Sequence, residues 1–390
     1  MTIHNYYQKK KLSLLNLRQH LLPGRKWQIL LPIYTLINQL ICPSKGRPIL
    51  PIQSVYPVST AHVIRQWLLA LSVCLILGIY HMGYHTLSLF VVMPSWYSCF
   101  LLGLLLILPY ALISIIFCLF WDWLRARLHQ TEMNPFILVM ALTLLMMIPP
   151  TLPYWQYIIG IGIGFLSAWV FWKKTEHSPI HPVAMTMIAL FILFPHSFWG
   201  PHLPYTFFPS DWFLFKQPSV PLTELSLLHR HFPALPAVFQ VHNISLSQLL
   251  IGNIPGSIGH QAMIGSMFGA YWLIKKRLID WRIPLSCGLT LFFISFIASF
   301  FTKNLLSLPL LWHFGISGLL FLTIFILSDG KIAPVTQTGK WIYGSLFAAF
   351  VLILRMTVHD YVDVSIGLVA IMGICSPAID FWVTTMKKKT

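Results

Sequence analysis

Residues 98–121 read SCFLLGLLLILPYALISIIFCLFW, an apolar run without a single charge. As a helix such a run covers about 36 Å, more than the ~30 Å hydrocarbon core of a bilayer. A soluble fold has no place for it. Composition carries the same message along the whole chain: of 390 residues, 57% are hydrophobic and 9% charged. A soluble domain carries about 25% charged residues. This excludes a soluble enzyme, a nucleic-acid module and a disordered protein, and predicts an all-α integral membrane protein.

Apolar stretches long enough to cross a bilayer, or nearly so, fall at 67–83, 98–121, 135–148, 154–172, 181–196, 259–275, 283–301, 309–328, 341–357 and 362–383. About ten transmembrane helices are therefore expected. Several stretches are short against the ~20 residues of an upright span, the pattern of half-helices around a central site. Basic residues test the map. With the N-terminus inside, 22 of the 26 Lys and Arg fall on the inner side and four (Lys216, Arg230, Lys303 and Arg355) on the outer. That is the asymmetry expected of cytoplasmic loops. Both termini are expected in the cytoplasm. The net charge of +16 follows from these loops and points to anionic lipid at the cytoplasmic face rather than to nucleic acid.

The expected organisation is a cytoplasmic basic arm over 1–66, with an interfacial helix over Trp27–Cys42, and a first five-helix half over 67–196. An outer-face segment follows over 197–251, then a second five-helix half and basic tail over 252–390. Span one runs outward and span six inward, so the halves are read as inverted repeats. Only the likeness of His181-Pro-Val-Ala-Met185 to His260-Gln-Ala-Met263 supports this in the residues. No cleavable signal is expected, since the first long apolar run lies too far in.

Motifs exclude more than they assign. None of the six cysteines forms a CxxC pair, so no local zinc, iron–sulfur or c-type haem signature exists. The densest histidine group, His229-Arg-His231 with His196, His202 and His242, lacks helical i,i+4 spacing and an acidic partner, and no metal site is expected there. No dinucleotide fingerprint, P-loop or nucleophile constellation is present, so no catalytic residue is assigned. Asp122, Asp280, Asp329 and Asp380 stand at predicted inner ends of spans and read as solvated or salt-bridged termini. The Gly252-Asn-Ile-Pro-Gly-Ser-Ile-Gly259 turn, opening a helix, reads either as an anion cradle of backbone N–H groups or as a tight turn capped by Ser257.

Five stretches, in order, carry a resemblance to a known family. They are Ile148-Pro-Pro-Thr-Leu-Pro-Tyr-Trp-Gln156; the Gly252–Gly259 turn; Trp281-Arg-Ile-Pro284; Ser328-Asp329 with Gly339-Lys-Trp-Ile-Tyr-Gly344 and Leu354-Arg355; and Pro377-Ala-Ile-Asp380. The chain resembles the NqrB component of the sodium-translocating NADH:quinone reductase and the RnfD component of the Rnf electron-transport complex. The resemblance implies a ten-span subunit of a flavin-dependent, ion-translocating electron-transport complex, with sister membrane subunits as partners and quinone as acceptor. It implies FMN linked to a threonine of the outer segment, and riboflavin between spans. Carried onto this sequence, the cofactor-binding residues are Thr223, Asn253, Gly256, Ser257, Gly259 and His181. The pattern departs from the family in places. Val220, Pro221 and Leu222 stand before Thr223 where the family has small residues, and His181-Pro182 stands where it has Asn-Pro. His260 follows Gly259 in place of Glu, and Gly330 follows Asp329 in place of Pro. These departures motivate an alternative, a diverged paralogue without covalent flavin that acts as a transporter or as a membrane anchor for a redox partner.

Overall fold

The computed structural model describes residues 33–37, 60–88, 93–148, 152–171, 180–194, 204–206, 214–216, 246–252, 257, 259, 263–301, 310–316, 318–357 and 364–389. In hydrocarbon every backbone donor and acceptor must be paired within its own segment, so apolar runs of this length become helices. The first set is α1 (Thr60–Leu87), α2 (Trp96–His129), α3 (Ile137–Met147), α4 (Tyr154–Phe171) and α5 (Pro182–Leu193). A short antiparallel pair, β1 (Pro204–Thr206) and β2 (Leu214–Lys216), and the one-turn helix α6 (Leu246–Ile251) belong to the segment between the sets. The second set is α7 (Met263–Lys275), α8 (Arg282–Phe301), α9 (Leu310–Ile316), α10 (Leu319–Leu322), α11 (Gln337–Thr357) and α12 (Val364–Lys389). Each of the ten predicted apolar stretches contains one or more of these helices.

Among the described residues five helices (α1, α2, α8, α11 and α12) are long and apolar enough to cross a membrane. On α2, Leu101, Leu105, Leu108, Leu112, Ile116 and Phe120 are exposed along one face, an apolar surface suited to lipid rather than water. Ser95 starts this helix by accepting a hydrogen bond from the Ser98 N–H at 3.2 Å. Gln130, in the left-handed region at φ 53°, ends it by donating its N–H to the Ala126 carbonyl. α1 begins seven residues earlier than predicted. Its polar first turns do not break it, because Gln66 accepts a hydrogen bond from the Trp272 indole at 2.9 Å.

The short elements occupy the centre. Of the eleven residues of α3, nine are buried. A helix of that length covers about 16 Å, too little to cross, and it is enclosed by protein instead. α10 runs into a π-helical turn over Thr323–Leu327, and all five residues of that turn are buried. The wide turn has a local cause: Ser328 donates both its N–H (3.1 Å) and its hydroxyl (2.7 Å) to the Thr323 carbonyl.

Packing joins the sets in a repeating way. α2 lies against α3 and α4, and α4 against α5; α8 lies against α9 and α11, and α11 against α12. Among the described residues the most extensive contacts between the sets are α1 with α7 and α5 with α12. The tightest crossing is α1 with α2, where a Cβ on Gly83 would meet the Cys99 carbonyl and one on Gly103 the Ile79 carbonyl. Small residues let the backbones touch, the usual means of helix association in lipid.

Candidate functional site

Polar side chains are scarce in this bundle, and one group of them, Asp122, His181 and Asp329, gathers where the C-terminal end of α2, the start of α5 and the residues after the π turn meet. The last turns of α2 supply Asp122, only 3% exposed. Its carboxylate accepts from the Arg125 guanidinium at 2.8 Å and from the Asn134 backbone N–H at 2.6 Å. Arg125 also donates to the Thr131 hydroxyl and the Glu132 carbonyl, both at 3.1 Å. The pair thus folds the α2–α3 loop back and sets where α3 begins.

The second half completes the cluster. Asp329, just past the π turn, accepts the Lys331 N–H at 3.1 Å, and its Oδ2 lies 3.6 Å from Nε2 of His181. His181 is the residue that opens α5, held extended ahead of Pro182 at the first helical position. The Lys331 ammonium sits 4.5 Å from the centre of the Phe136 ring. Burial alone would raise the Asp329 carboxyl, but the His181 contact and the Lys331 charge outweigh it and hold it below the usual carboxylate range. For Lys331 burial dominates: Asp329 and Asp122 favour the ammonium, Arg125 opposes it, and the lysine stays below its ordinary value. Two polar atoms here have no partner among the described residues, Nδ1 of His181 and the hydroxyl of the wholly buried Tyr343. Unpaired buried groups of this kind cost about 1–3 kcal/mol each and call for an explanation.

The other two predicted carboxylates are also paired. Asp280 binds Lys340 at 2.8 Å and Arg282 at 3.2 Å. Burial works to raise its pKa, but Lys340 and then Arg282 prevail and lower it. Asp380, on α12, accepts from the Val335 and Thr336 backbone N–H groups at 2.7 and 2.9 Å and from the Thr336 hydroxyl at 2.5 Å. It thereby ties α12 to the start of α11. All four aspartates read from sequence as inner-end groups are engaged in ion pairs or backbone capping.

Of the predicted cofactor residues, Thr223, Asn253 and Gly256 lie outside the described residues. Gly252 ends α6 with φ 92°, a conformation that favours glycine. Gly259 sits against the end of α3: a Cβ there would stand 2.8 Å from the Met146 carbonyl and 3.2 Å from the Phe321 ring. Ser257 is 4% exposed and its hydroxyl lacks a partner among the described residues. Gly259 and His181 belong to different clusters. The cleft beside His181's neighbour Pro182, lined also by Trp121, Asp122, Arg125, Asn134 and Trp169, has room for about one water molecule. The His181 ring and the backbone at Gly259 are packed against protein and do not fit a three-ring flavin; of the predicted cofactor residues that are described, Ser257, with its unpartnered hydroxyl, is the one that suits a ligand.

Sequence reasoning missed the lysine and the tyrosine of the cluster, because only folding brings 331 beside 122 and 343 beside 329. It also missed the clamp at the opposite side. There Arg355, 8% exposed, reaches Nδ1 of His313 at 2.9 Å and its backbone carbonyl at 3.2 and 3.3 Å. Lysine cannot make this planar fork. Arg355→Lys is expected to lower the melting temperature of the detergent-solubilised protein by several degrees, with an unchanged profile on size exclusion; an unshifted melt would show the fork to be dispensable.

A multi-pass helical membrane protein, its halves joined by a buried acid–base cluster at one face, is the class these features define. The sequence profile of the NQR2, RnfD, RnfE family matches residues 54–389, and the chain belongs to that family. It is similar to the B subunit of the Na(+)-translocating NADH-quinone reductase of Stutzerimonas stutzeri, 25% identical over 74% of this chain and 70% of the relative. The protein of the same name from Yersinia pestis is 26% identical over 74% of this chain and 68% of its own length, and that from Klebsiella pneumoniae (strain 342) 27% over 74% and 69%.

Proposed function

We propose that this chain is a membrane subunit of an ion-translocating electron-transport complex of the NADH:quinone reductase or ferredoxin-linked type. The observation that carries the proposal is the family match, which runs through both helical sets, from 54 to 389. Sister membrane subunits, quinone and anionic lipid at the cytoplasmic face are the proposed partners, in a bacterial inner membrane with both termini inside. The ten helical stretches are read as ten spans in two inverted halves; three pairings that recur, α2–α3 as α8–α9, α2–α4 as α8–α11 and α4–α5 as α11–α12, support this. Cofactor contact is proposed for the Gly252–Gly259 segment, with Asn253, Gly256, Ser257 and Gly259. His181 is read as the link between the halves through Asp329 rather than as a flavin contact. Deletion of the gene tests the proposal: membrane NADH- or ferredoxin-linked electron transfer should fall, and sister subunits should co-purify with the tagged chain. Unchanged electron transfer with no co-purifying subunit would refute it.

The second reading, a paralogue without covalent flavin, is favoured by Val220, Pro221 and Leu222 ahead of Thr223. Pro221 fixes φ and removes a donor where a transferring enzyme must approach the backbone. The two readings separate in one gel. With the native flavin-transferring enzyme present, covalent FMN on Thr223 gives a fluorescent band in SDS that Thr223→Val abolishes. A dark wild-type band leaves the second reading.

A further inference from the structure

We infer that the end of α7, together with the start of α1, forms a site for the phosphate headgroup of an anionic phospholipid. It rests on the reading of this face as the cytoplasmic one, in contact with anionic lipid.

The seam between α1 and α7 sets the level. Gln66 meets Trp272, and the Cys74 thiol lies 3.9 Å from the Ser266 hydroxyl, so the helices run antiparallel. The exposed Arg65, next to Gln66, therefore stands level with the last turn of α7. There Lys275, Lys276 and Arg277 follow one another, all exposed. Residues 60–66 and 271–279 together contain these four Lys and Arg and no Asp or Glu. The acid that follows, Asp280, is already taken by Lys340 at 2.8 Å and Arg282 at 3.2 Å. Among the described residues none of the four cations has a carboxylate partner.

Aromatic rings hold the two lysines. The Lys275 ammonium lies 5.3 Å from the centre of the Tyr271 ring and donates to its hydroxyl at 3.2 Å. The Lys276 ammonium lies 5.1 Å from the centre of the Trp272 ring. Tyr271 is 60% exposed, and Trp281, past the turn, 45%. Half-exposed tyrosine and tryptophan mark the depth of the headgroups in a membrane protein. A cation resting on a ring keeps its charge, whereas one in a salt bridge is neutralised. The patch is therefore positive, set at headgroup depth and held in shape before a phosphate arrives.

The backbone supplies an independent sign. At the end of α7 the Leu278 N–H donates to the Leu273 carbonyl and the Arg277 N–H to the Ile274 carbonyl, both at 2.9 Å. This closure sets Arg277 at φ 55°, a left-handed position where glycine is the usual residue. An arginine there costs stability that glycine would not. Attraction to the helix dipole accounts for cations in the last turn, but not for one at the left-handed position. A left-handed arginine beside two ring-held lysines is explained by what its charge binds.

Native mass spectrometry of the full chain, released from detergent, tests the site with phosphatidylglycerol as probe and phosphatidylcholine as reference. The wild type should bind phosphatidylglycerol in preference. Lys276→Gln and Arg277→Gly should each weaken that binding about fivefold, the effect of one basic residue near a membrane surface. Arg277→Gly should nevertheless melt no lower than the wild type, since glycine suits the turn, so misfolding does not account for its loss of lipid. Arg127→Gln removes an exposed cation from the end of α2 on the same face and should leave binding unchanged. Wild-type affinity in Lys276→Gln and Arg277→Gly would overturn the site. So would an equal loss in Arg127→Gln, which would make the attraction one of total charge. Displacement by millimolar inorganic phosphate would overturn the assignment to lipid. A wild type without preference between the two lipids would overturn the site and, unlike those results, the lipid reading of the whole face.

Discussion

Asp329→Ala is expected to destabilise the protein by about 1–3 kcal/mol, the cost of leaving the buried groups it serves without their acceptor. The carboxylate is 15% exposed and serves His181 from the first half and Lys331 from the second. Without it the Lys331 ammonium, already held below its ordinary pKa by burial, keeps only Asp122 as a counter-charge and still faces Arg125. Asp329→Asn retains the shape and an acceptor, and should cost less. The diagnostic variant is Asp329→Ala combined with Lys331→Met. Removing both charges eliminates the stranded cation, so the double variant should melt above Asp329→Ala alone. If the two losses simply add, the residues do not act as a pair. The pH dependence has a fixed sign. A carboxyl whose folded pKa is lowered contributes stability in full above the unfolded value of about 3.9, and loses it as pH falls through the lower folded value. Wild-type melting temperature should therefore drop on acidification in that window, and the Asp329→Ala profile should be flatter there.

Gly83→Leu should yield almost no folded protein. A Cβ on Gly83 would already stand 2.6 Å from the Cys99 carbonyl carbon and 2.8 Å from the Gly103 nitrogen. These are backbone atoms, which cannot rotate away as a side chain can. Overpacking a soluble core costs about 1–3 kcal/mol; here the whole α1–α2 crossing must open, so the upper end of that range is the expectation even for Gly83→Ala. Fluorescence-detected size exclusion of tagged variants measures it. A monodisperse peak of wild-type height for Gly83→Leu would show that the two helices do not touch. Gly288 serves as the control, because a Cβ there meets nothing nearer than the Phe314 ring at 3.6 Å. Gly288→Ala should be tolerated.

The inner cluster shows how far the chain can be read before folding. Asp122, Asp280, Asp329 and Asp380 are legible as inner-end groups, since a charge is tolerated only near the ends of spans or where it is paired. Their partners are not legible. Asn134 follows Asp122 by twelve residues, but Lys340 lies sixty residues from Asp280, and Val335 and Thr336 lie 45 and 44 from Asp380. The family pattern makes His181 a cofactor contact, whereas the structure places it against Asp329. Gly103 is the single glycine of its apolar run and Gly83 shares its run only with Gly78, five residues away, so nothing in either run announces the other.

Sequence by itself determined that the chain lies in a membrane, where its helices run and which ends carry charge. Those properties depend on apolar length and on the distribution of lysine and arginine, which are local quantities. Only the tertiary structure decided that α3 and the α10 turn are enclosed, that α1 and α2 touch at their glycines, and that one carboxylate binds the two halves together. Enclosure and pairing depend on distances between residues far apart in the chain, and periodicity within a single helix carries no information about those distances.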